Sequence, residues 1–325
     1  MRAVRHIDTD LRVPARTIPI PEHLSPEARA FLAIRMPEGP GYPALDDSEG
    51  WKQQIAAADA MIMQLFVDPN NSLPCEVRER IEGNVRGYDL LPEGVSSTDR
   101  RIYFDIHGGA LIMGSGEVCK ATAMGTAARI GARVVAVDYR MPPDHPYPTS
   151  LDDCLTFYRA LLEERRPEEI IVGGMSAGSN LAAAMLLRAR DEGLPMPAAT
   201  VLGSPEVDLT ESGDSFQTNA GIDAMGSLMQ ANLLYAGGHD LTHPYMSPLF
   251  GDFTKGFPPA LITAGTRDLY LSNAVRLHRA LREANIEAEL HILEAAAHWA
   301  FGGRSPEEAA LGREIRRFCE EHWQS

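Results

Sequence analysis

The chain has 325 residues, of which 44% are hydrophobic and 23% are charged, as in ordinary globular proteins. This composition excludes a collagen-like or intrinsically disordered chain, and the length suits one large core with a cap. The formal net charge of -15 disfavours nucleic acid as a partner, because phosphate backbones are bound by clusters of lysine and arginine.

The first 75 residues predict helices and no strand. The segments SPEARAFLAIRM (25–36) and WKQQIAAADAMIMQLF (51–66) have apolar residues at the i, i+3, i+4 spacing of an amphipathic helix. Ser25 and Pro26 open the first segment as N-cap and first-turn residue. We interpret residues 1–75 as an N-terminal helical cap segment.

Seven β-rich runs begin at about residue 84, and amphipathic helices separate them. The predicted strands are NVRGYDLL, RRIYFDI, ARVVAVDY, EEIIVGG, AATVLGS, PALITAG and AELHILE. The predicted helices lie near residues 115–131, 149–164, 178–192, 271–285 and 305–323. Strands that alternate with helices form a mostly parallel sheet covered on both faces. We therefore predict an α/β fold with a mostly parallel central sheet over residues 76–325.

One interval, residues 205–258, breaks this alternation between the strands AATVLGS and PALITAG. Connections in such folds usually have about 2 to 6 residues, and long insertions typically form lids or binding loops. We predict a second cap segment at about residues 206–250.

Targeting and redox signals are absent from the sequence. The N-terminus lacks the apolar run of about 7 to 15 residues that marks a signal peptide, and no run of about 18 apolar residues occurs. The 4 cysteines are scattered without a CxxC pair, so the sequence suggests neither a zinc site nor a redox motif. We expect a cytoplasmic protein with reduced thiols.

The run IIVGGMSAGSN (170–180) places Ser176 between two glycines at the end of a predicted strand. A phosphate-binding loop would need a lysine at Ser179, and a dinucleotide-binding fingerprint would need a glycine at Met175. The remaining pattern is G-x-S-x-G, which is typical of a sharp strand-to-helix turn that exposes a nucleophilic serine. By itself the pattern also fits an ordinary turn, so the interpretation depends on partners elsewhere.

A serine hydroxyl attacks a carbonyl only with help from a base, normally a histidine oriented by a carboxylate. With this turn, the partners follow later strands in the order serine, acid, histidine. Asp268 follows the strand PALITAG, and His298 follows AELHILE. Asp252 is a rival acid, but it lies in the insertion and follows no strand. The other histidines after the acid lie within predicted helices or a strand and are His278, His291 and His322. We predict a triad of Ser176, Asp268 and His298.

The segment YFDIHGGALIMGS predicts hydrogen-bond donors for an anionic reaction intermediate. His107–Ala110 follow a strand, and Gly108 and Gly109 have no side chains that would keep their N–H groups away from a substrate. The N–H of Ala177, directly after the serine, is the remaining predicted donor. A plain glycine turn is the alternative interpretation.

With these elements placed, the chain resembles the hormone-sensitive-lipase-like family of α/β-hydrolases, the bacterial family IV carboxylesterases. The motif HGGA at His107 matches the HGGG motif of that family, with Ala110 as a departure. GMSAG is similar to G-[DT]-S-A-G, with Met175 in place of Asp or Thr. The segment VDYRMPPDHPYPTSLDDC (137–154) is similar to DYRLAPEHPFPAALDD, and GTRDLYLSN (265–273) resembles the family segment that carries the acid.

The resemblance covers about residues 85–320. It implies a serine carboxylesterase that hydrolyses short-chain carboxylic esters through an acyl-enzyme, with a helical cap over the substrate pockets. It implies a small ester as partner and no metal or organic cofactor, nucleic acid or membrane. A homodimer through the strand AELHILE is an expectation by analogy. A lactone hydrolase, a deacetylase of a small metabolite and a non-catalytic ligand-binding member of the fold stay open as alternatives.

Overall fold

An eight-stranded sheet with the order β1-β2-β4-β3-β5-β6-β7-β8 forms the centre of the molecule. The computed structural model describes residues 13–34, 41–66 and 74–324. The strands are β1 Cys75–Glu82, β2 Val85–Pro92, β3 Ile102–Ile106, β4 Arg133–Asp138, β5 Ile170–Met175, β6 Ala199–Gly203, β7 Ala260–Gly265 and β8 Ala288–Leu293. Strand β2 pairs antiparallel with both β1 and β4, and the pairs from β4 to β8 are parallel. The predicted mostly parallel sheet is confirmed.

Helices cover both faces of this sheet. They are α1 Pro26–Leu32, α2 Ser48–Phe66, α3 Glu117–Ile130, α4 Thr149–Glu164, α5 Ala177–Asp191, α6 Ser215–Thr218, α7 Met229–Ala236, α8 Leu271–Glu283 and α9 Pro306–His322. Alternate residues of a strand point to opposite faces. On β4, Val135 and Val137 therefore join the apolar cluster formed with α4, α5 and α8. Val134 and Ala136 join the cluster formed with α3 and α9 on the other face.

Strand β1 is a departure from the prediction, which began the sheet at about residue 84. Five of the eight residues in its sequence CEVRERIE are charged, three of them in a row, and no residue of the strand is fully buried. As an edge strand it pairs with β2 alone. Its charged side chains suit an exposed edge but hide the hydrophobic signal by which strands are recognised.

Helices α1 and α2, and Phe216 of the insertion, pack against connections that follow the strands. Ala28 of α1 belongs to an apolar cluster with Phe301, and Trp51 of α2 belongs to one with Phe216 and Tyr270. Helix α1 ends at Leu32, and the last two residues of the first predicted helix lie outside the described residues. Within the described ranges, no helix has the length and apolar character needed to cross a membrane.

Candidate active site

Ser176 lies at the sharp turn between β5 and α5 and has a φ of 58°. The flanking glycines make this turn sterically feasible. A Cβ on Gly178 would lie 1.9 Å from the carbonyl oxygen of Ile106, and one on Gly174 would lie 2.4 Å from the backbone of Gly178. The glycines therefore let the turn pack against the end of β3, with the serine at the N-terminus of α5, where the helix dipole favours negative charge.

The structure brings the side chains of the predicted triad together. Nε2 of His298 lies 2.9 Å from Oγ of Ser176, and Nδ1 of His298 lies 3.3 Å from Oδ1 of Asp268. The acid follows β7 and the histidine follows β8, so both reach the carboxyl edge of the parallel strands. All three residues are buried, with exposed fractions of 7%, 3% and 0% for serine, histidine and acid. A buried hydrogen-bonded chain of this order transfers a proton from the hydroxyl to the imidazole.

Asp223, which the sequence analysis did not identify, supports both triad loops. Its Oδ2 accepts hydrogen bonds from the backbone N–H of His298 at 3.2 Å and of Leu269 at 2.9 Å. Oδ1 of Asp268 also accepts from the N–H of Tyr270 at 2.8 Å. Asp223 lies in the insertion after β6 and follows no strand, so the rule that located the acid and the histidine could not find it.

The electrostatics of the triad favour an ion pair between acid and base. Burial lowers the pKa of His298, but the carboxylates of Asp268, Asp223 and Glu206 outweigh burial and raise this pKa above its ordinary value. Burial also raises the pKa of Asp268, but the charge and hydrogen bond of His298 outweigh burial and hold the pKa of Asp268 below its ordinary value. The imidazolium that forms during proton transfer is therefore stabilised in place.

Glu206 is a second acid near the triad that the sequence analysis did not identify. It follows β6, its exposed fraction is 0%, and the side chains of Tyr270 and Asn232 face its carboxyl. Burial raises the pKa of Glu206 to about 7. The ring of Tyr270 also packs edge-on against the ring of His298, with centroids 5.0 Å apart. In the sequence, only the position after a predicted strand sets Glu206 apart. Glutamates are common on protein surfaces, so this position does not indicate a functional residue.

The predicted oxyanion motif lies beside the nucleophile. A Cβ on Gly108 would lie 2.8 Å from the carbonyl oxygen of Met175 and 3.5 Å from Cβ of Ser176. Nδ1 of His107 donates to the carbonyl oxygen of Gly108 at 2.7 Å, and the His107 ring stacks on Tyr139 at 4.0 Å between centroids. The histidine therefore braces the loop through its own ring.

Gly109 and Ala110, the next residues of this motif, have positive φ values. Gly109 has a φ of 127°, and Ala110 has a φ of 52° although it carries a side chain. Ala177 is the first residue of α5 and is fully buried, so its N–H lies at the helix N-terminus next to the serine. This arrangement fits two glycine donors and one helix N-terminal donor.

Three buried residues behind the loop could hold a metal by their geometry. One ligand atom each of His107, Cys119 and Asp138 lies within 4.8 Å of the others. The carboxylate of Asp138 is already bound by Nε of Arg86 at 2.7 Å and by the N–H of Gly116 at 3.0 Å. These hydrogen bonds give Asp138 a role in holding the loop.

The acid and the histidines that the sequence disfavoured as triad members make local structural contacts. Asp252 accepts hydrogen bonds from Thr254 in a short turn. His291 contacts Glu289 on its own strand, and Nδ1 of His322 donates to a backbone carbonyl within α9. Met175, the departure in the GMSAG motif, has 40% of its surface exposed.

A comparison with protein families supports the same fold. A family model described as α/β-hydrolase fold matches residues 103–301. The chain belongs to this family, among the hormone-sensitive-lipase-like α/β-hydrolases. The family assignment agrees with the resemblance drawn from the HGGA and GMSAG motifs.

Curated relatives of this hydrolase are named as an esterase, an acetyl-hydrolase and a carboxylesterase. An esterase of Acinetobacter venetianus is 33% identical over 64% of this chain and 69% of its own length. An acetyl-hydrolase of Streptomyces hygroscopicus is 38% identical over 58% of this chain and 63% of its own length. The carboxylesterase NlhH of Mycobacterium tuberculosis is 30% identical over 73% of this chain and 79% of its own length.

Solved structures of similar proteins extend the likeness to nearly the whole chain. The crystal structure of an esterase named E25 has a TM-score of 0.87 and 31% identity, and covers 97% of this chain and 99% of its own. The esterase EstE5, in a crystal soaked with p-nitrophenyl butyrate, has a TM-score of 0.81 and 27% identity over 93% of this hydrolase and 100% of its own chain.

Proposed function

We propose that this hydrolase is a serine carboxylesterase that cleaves short-chain carboxylic esters through an acyl-enzyme. The observation that carries the proposal is the buried contact of 2.9 Å between Oγ of Ser176 and Nε2 of His298. The esterase relatives support the reaction type. The same contact disfavours a purely ligand-binding member of the fold, which has no use for an activated serine.

In the first half-reaction, Ser176 attacks the ester carbonyl carbon while Nε2 of His298 takes the hydroxyl proton. Asp268 orients the imidazole and stabilises its charged form, and the hydrogen bond that the backbone N–H of His298 donates to Asp223 holds the loop in place. His298 then protonates the leaving alcohol as the tetrahedral intermediate collapses, which leaves the acyl group on Ser176.

In the second half-reaction, His298 removes a proton from a water molecule that attacks the acyl carbonyl. The serine oxygen leaves and recovers the proton from the imidazolium, and the carboxylic acid product is released. The N–H groups of Gly108, Gly109 and Ala177 serve both steps as donors to the oxyanion. Each such donor typically contributes about 2.7 to 4 kcal/mol to the barrier reduction.

An acetyl-specific enzyme is the second candidate for this site. The acetyl-hydrolase relative at 38% identity favours it over a lactone hydrolase, although both would use the same chemistry. A series of p-nitrophenyl esters from acetate to longer acyl chains, together with a set of lactones, separates these candidates.

The position of the cap, the cellular location and the oligomeric state are further proposals. We propose that residues 1–75 and about 206–250 cover the substrate site, and that the protein is a cytoplasmic homodimer. Strand β8 lies at the sheet edge, with β7 as its neighbour, so its free edge suits pairing with a second copy. Size-exclusion chromatography with light scattering tests the dimer.

The proposed reaction is tested by Ser176→Ala assayed on p-nitrophenyl acetate and butyrate. Loss of the nucleophile should lower kcat by about 1000-fold or more, because the triad acts as a unit. Ser96→Ala, at an exposed serine, is the matched control and should keep full activity. Full retained activity in Ser176→Ala, or no ester hydrolysis by the unmodified chain, would contradict the proposal.

A further inference from the structure

The loop of residues 107–116, which carries two of the three proposed oxyanion donors, has a strained backbone. Gly109 and Gly114 have φ values of 127° and 101°, and Ala110 and Leu111 have left-handed φ values of 52° and 62° despite their side chains. A left-handed conformation costs roughly 1–2 kcal/mol for a residue with a Cβ. Such strain persists only where surrounding contacts hold it. The contacts on this loop therefore decide where its donors lie.

Two of these contacts come from the end of β4. The hydroxyl of Tyr139 donates to the carbonyl oxygen of His107 at 2.9 Å. Oδ1 of Asp138 accepts from the N–H of Gly116 at 3.0 Å. These bonds fix the two ends of the loop to the central sheet but leave its middle to other contacts.

Between these two ends, Asp59 of α2 holds the loop at Gly114. Its Oδ1 accepts from the N–H of Gly114 at 2.8 Å, across 55 positions of the chain. Gly114 packs directly on the oxyanion motif, since a Cβ on it would lie 2.7 Å from the carbonyl oxygen of Gly108 and 2.8 Å from Nδ1 of His107. A displacement of Gly114 would therefore move Gly108, whose N–H is a proposed donor.

Asp59 is the polar member of the helix face that meets the loop. Trp51, Ile55 and Asp59 follow one another at intervals of four residues and so lie on one face of α2. Trp51 is fully buried in an apolar cluster with Ala110 and Ile112, against which Ile55 also packs. Apolar contacts are non-directional, whereas the hydrogen bond that the N–H of Gly114 donates to Asp59 fixes one position of the loop relative to the helix.

We propose that Asp59 is a positioning residue that sets the oxyanion hole by holding Gly114, and that it thereby couples the docking of helix α2 to transition-state stabilisation. The proposal rests on the esterase function proposed above. Asp59 lines a cavity of about 530 Å³ formed mainly by α2 and the segment after β4, and the lining includes Lys52, Ile112 and Arg86 rather than the triad. Its effect on the reaction is thus exerted through the loop.

The kinetic consequence follows from when the donors act. The oxyanion carries its full charge only in the transition state and the tetrahedral intermediate, so a misplaced donor lowers kcat while KM changes little. Complete loss of one donor costs about 100- to 1000-fold in kcat. Displacement of a loop that keeps its other contacts should cost less, about tenfold, within the range expected for small misplacements.

The test compares Asp59→Ala, Asp59→Asn and Lys52→Ala on p-nitrophenyl butyrate. Asp59→Ala should lower kcat by about tenfold with KM within about twofold, and should weaken inhibition by a trifluoromethyl ketone, whose adduct places an oxyanion in the hole. Asp59→Asn keeps an acceptor oxygen and should retain kcat within about threefold. Lys52 lines the same cavity but pairs with Asp144, so its variant should match the unmodified chain.

Hydrogen exchange of the peptide that contains Gly114 supplies a readout independent of ester hydrolysis. In Asp59→Ala the amide of Gly114 should exchange faster, while Asp59→Asn and Lys52→Ala should preserve its protection. Unchanged kcat and unchanged exchange in Asp59→Ala would overturn the proposal. Equal losses of kcat in all three variants would also overturn it, because they would reflect the docking of α2 rather than the acceptor at Asp59. A failure of the esterase proposal itself would show as an inactive unmodified chain.

Discussion

At the scale of single residues, Ser176 owes its position to the glycines around it rather than to its own side chain. Its φ of 58° places the hydroxyl above the sheet edge, and Gly174 and Gly178 leave room for the backbone of β3. His298 then meets the serine oxygen at 2.9 Å. The G-x-S-x-G pattern thus describes a packing requirement as much as a chemical one.

Gly178→Ala should therefore disturb the turn. The added Cβ would lie 1.9 Å from the carbonyl oxygen of Ile106, and overpacking of this kind typically costs about 1–3 kcal/mol. We expect lower thermal stability and a large loss of kcat. Gly125→Ala is the matched control, because nothing lies within 4 Å of its Cβ position in α3, and it should stabilise the chain by about 0.5–1 kcal/mol. Equal effects of the two variants on Tm would contradict this account.

The pKa of His298 sets the acidic limb of the pH profile. The imidazole acts as a base only when neutral, so kcat/KM should fall as the pH drops through the pKa of the free enzyme. Because the neighbouring carboxylates raise the pKa of His298, the midpoint should lie above the ordinary value of 6.5. A pH series of kcat/KM on p-nitrophenyl acetate measures it, and a midpoint well below the ordinary value would be the contrary result.

At the scale of elements, the sequence predicted most of the sheet and the helices but not the contacts made by the insertion. Helix α4 has the predicted bounds, and α5, α8 and α9 lie within a few residues of theirs, whereas α6 and α7 in the insertion were not predicted. Apolar periodicity is a local signal, so it predicts where helices and strands lie in the sequence but not which elements contact one another. Asp59, Glu206 and Asp223 act through contacts between distant segments, and only the folded chain brings those segments together.

Asp223 tests whether the insertion supports the triad. Asp223→Asn keeps one acceptor oxygen but removes the charge, which is one of the contributions that raise the pKa of His298. The acidic limb of kcat/KM should therefore shift to lower pH, and kcat should fall severalfold because the loop of His298 is held less firmly. Asp214→Asn, in the same insertion at the start of α6, is the control. If the acidic limb of kcat/KM did not shift in Asp223→Asn, the proposed effect of Asp223 on His298 would be contradicted.

At the scale of the whole molecule, the central sheet brings residues far apart in the sequence to one edge. Buried acidic side chains lie at the same edge. Ser176, Asp268 and His298 follow three different strands of one sheet, which explains why their order along the chain was predictable. The same edge buries Glu206, whose exposed fraction is 0%. We therefore expect burial of this acid to make the free energy of unfolding depend on pH.

Glu206→Gln measures that dependence. Burial raises the pKa of Glu206 from 4.5 to about 7, so the folded state binds this proton more tightly than the unfolded state. The free energy of unfolding should therefore decrease as the pH rises from about 4.5 to 7, by on the order of 3 kcal/mol at most. We expect Glu206→Gln to be more stable than the unmodified chain above about pH 7 and to lose this advantage near pH 5. Denaturant unfolding at both pH values measures this difference in the free energy of unfolding. Glu163→Gln, at an exposed glutamate, is the control.

The central claim is that Ser176 becomes acylated with His298 as its base. Intact-mass spectrometry of the chain after reaction with a fluorophosphonate tests it most directly, with peptide mapping of the labelled residue. We predict one added phosphonyl group per chain, located on Ser176, with labelling abolished in Ser176→Ala and strongly slowed in His298→Ala. Labelling at another residue, or ester hydrolysis that continues unchanged in Ser176→Ala, would contradict the account.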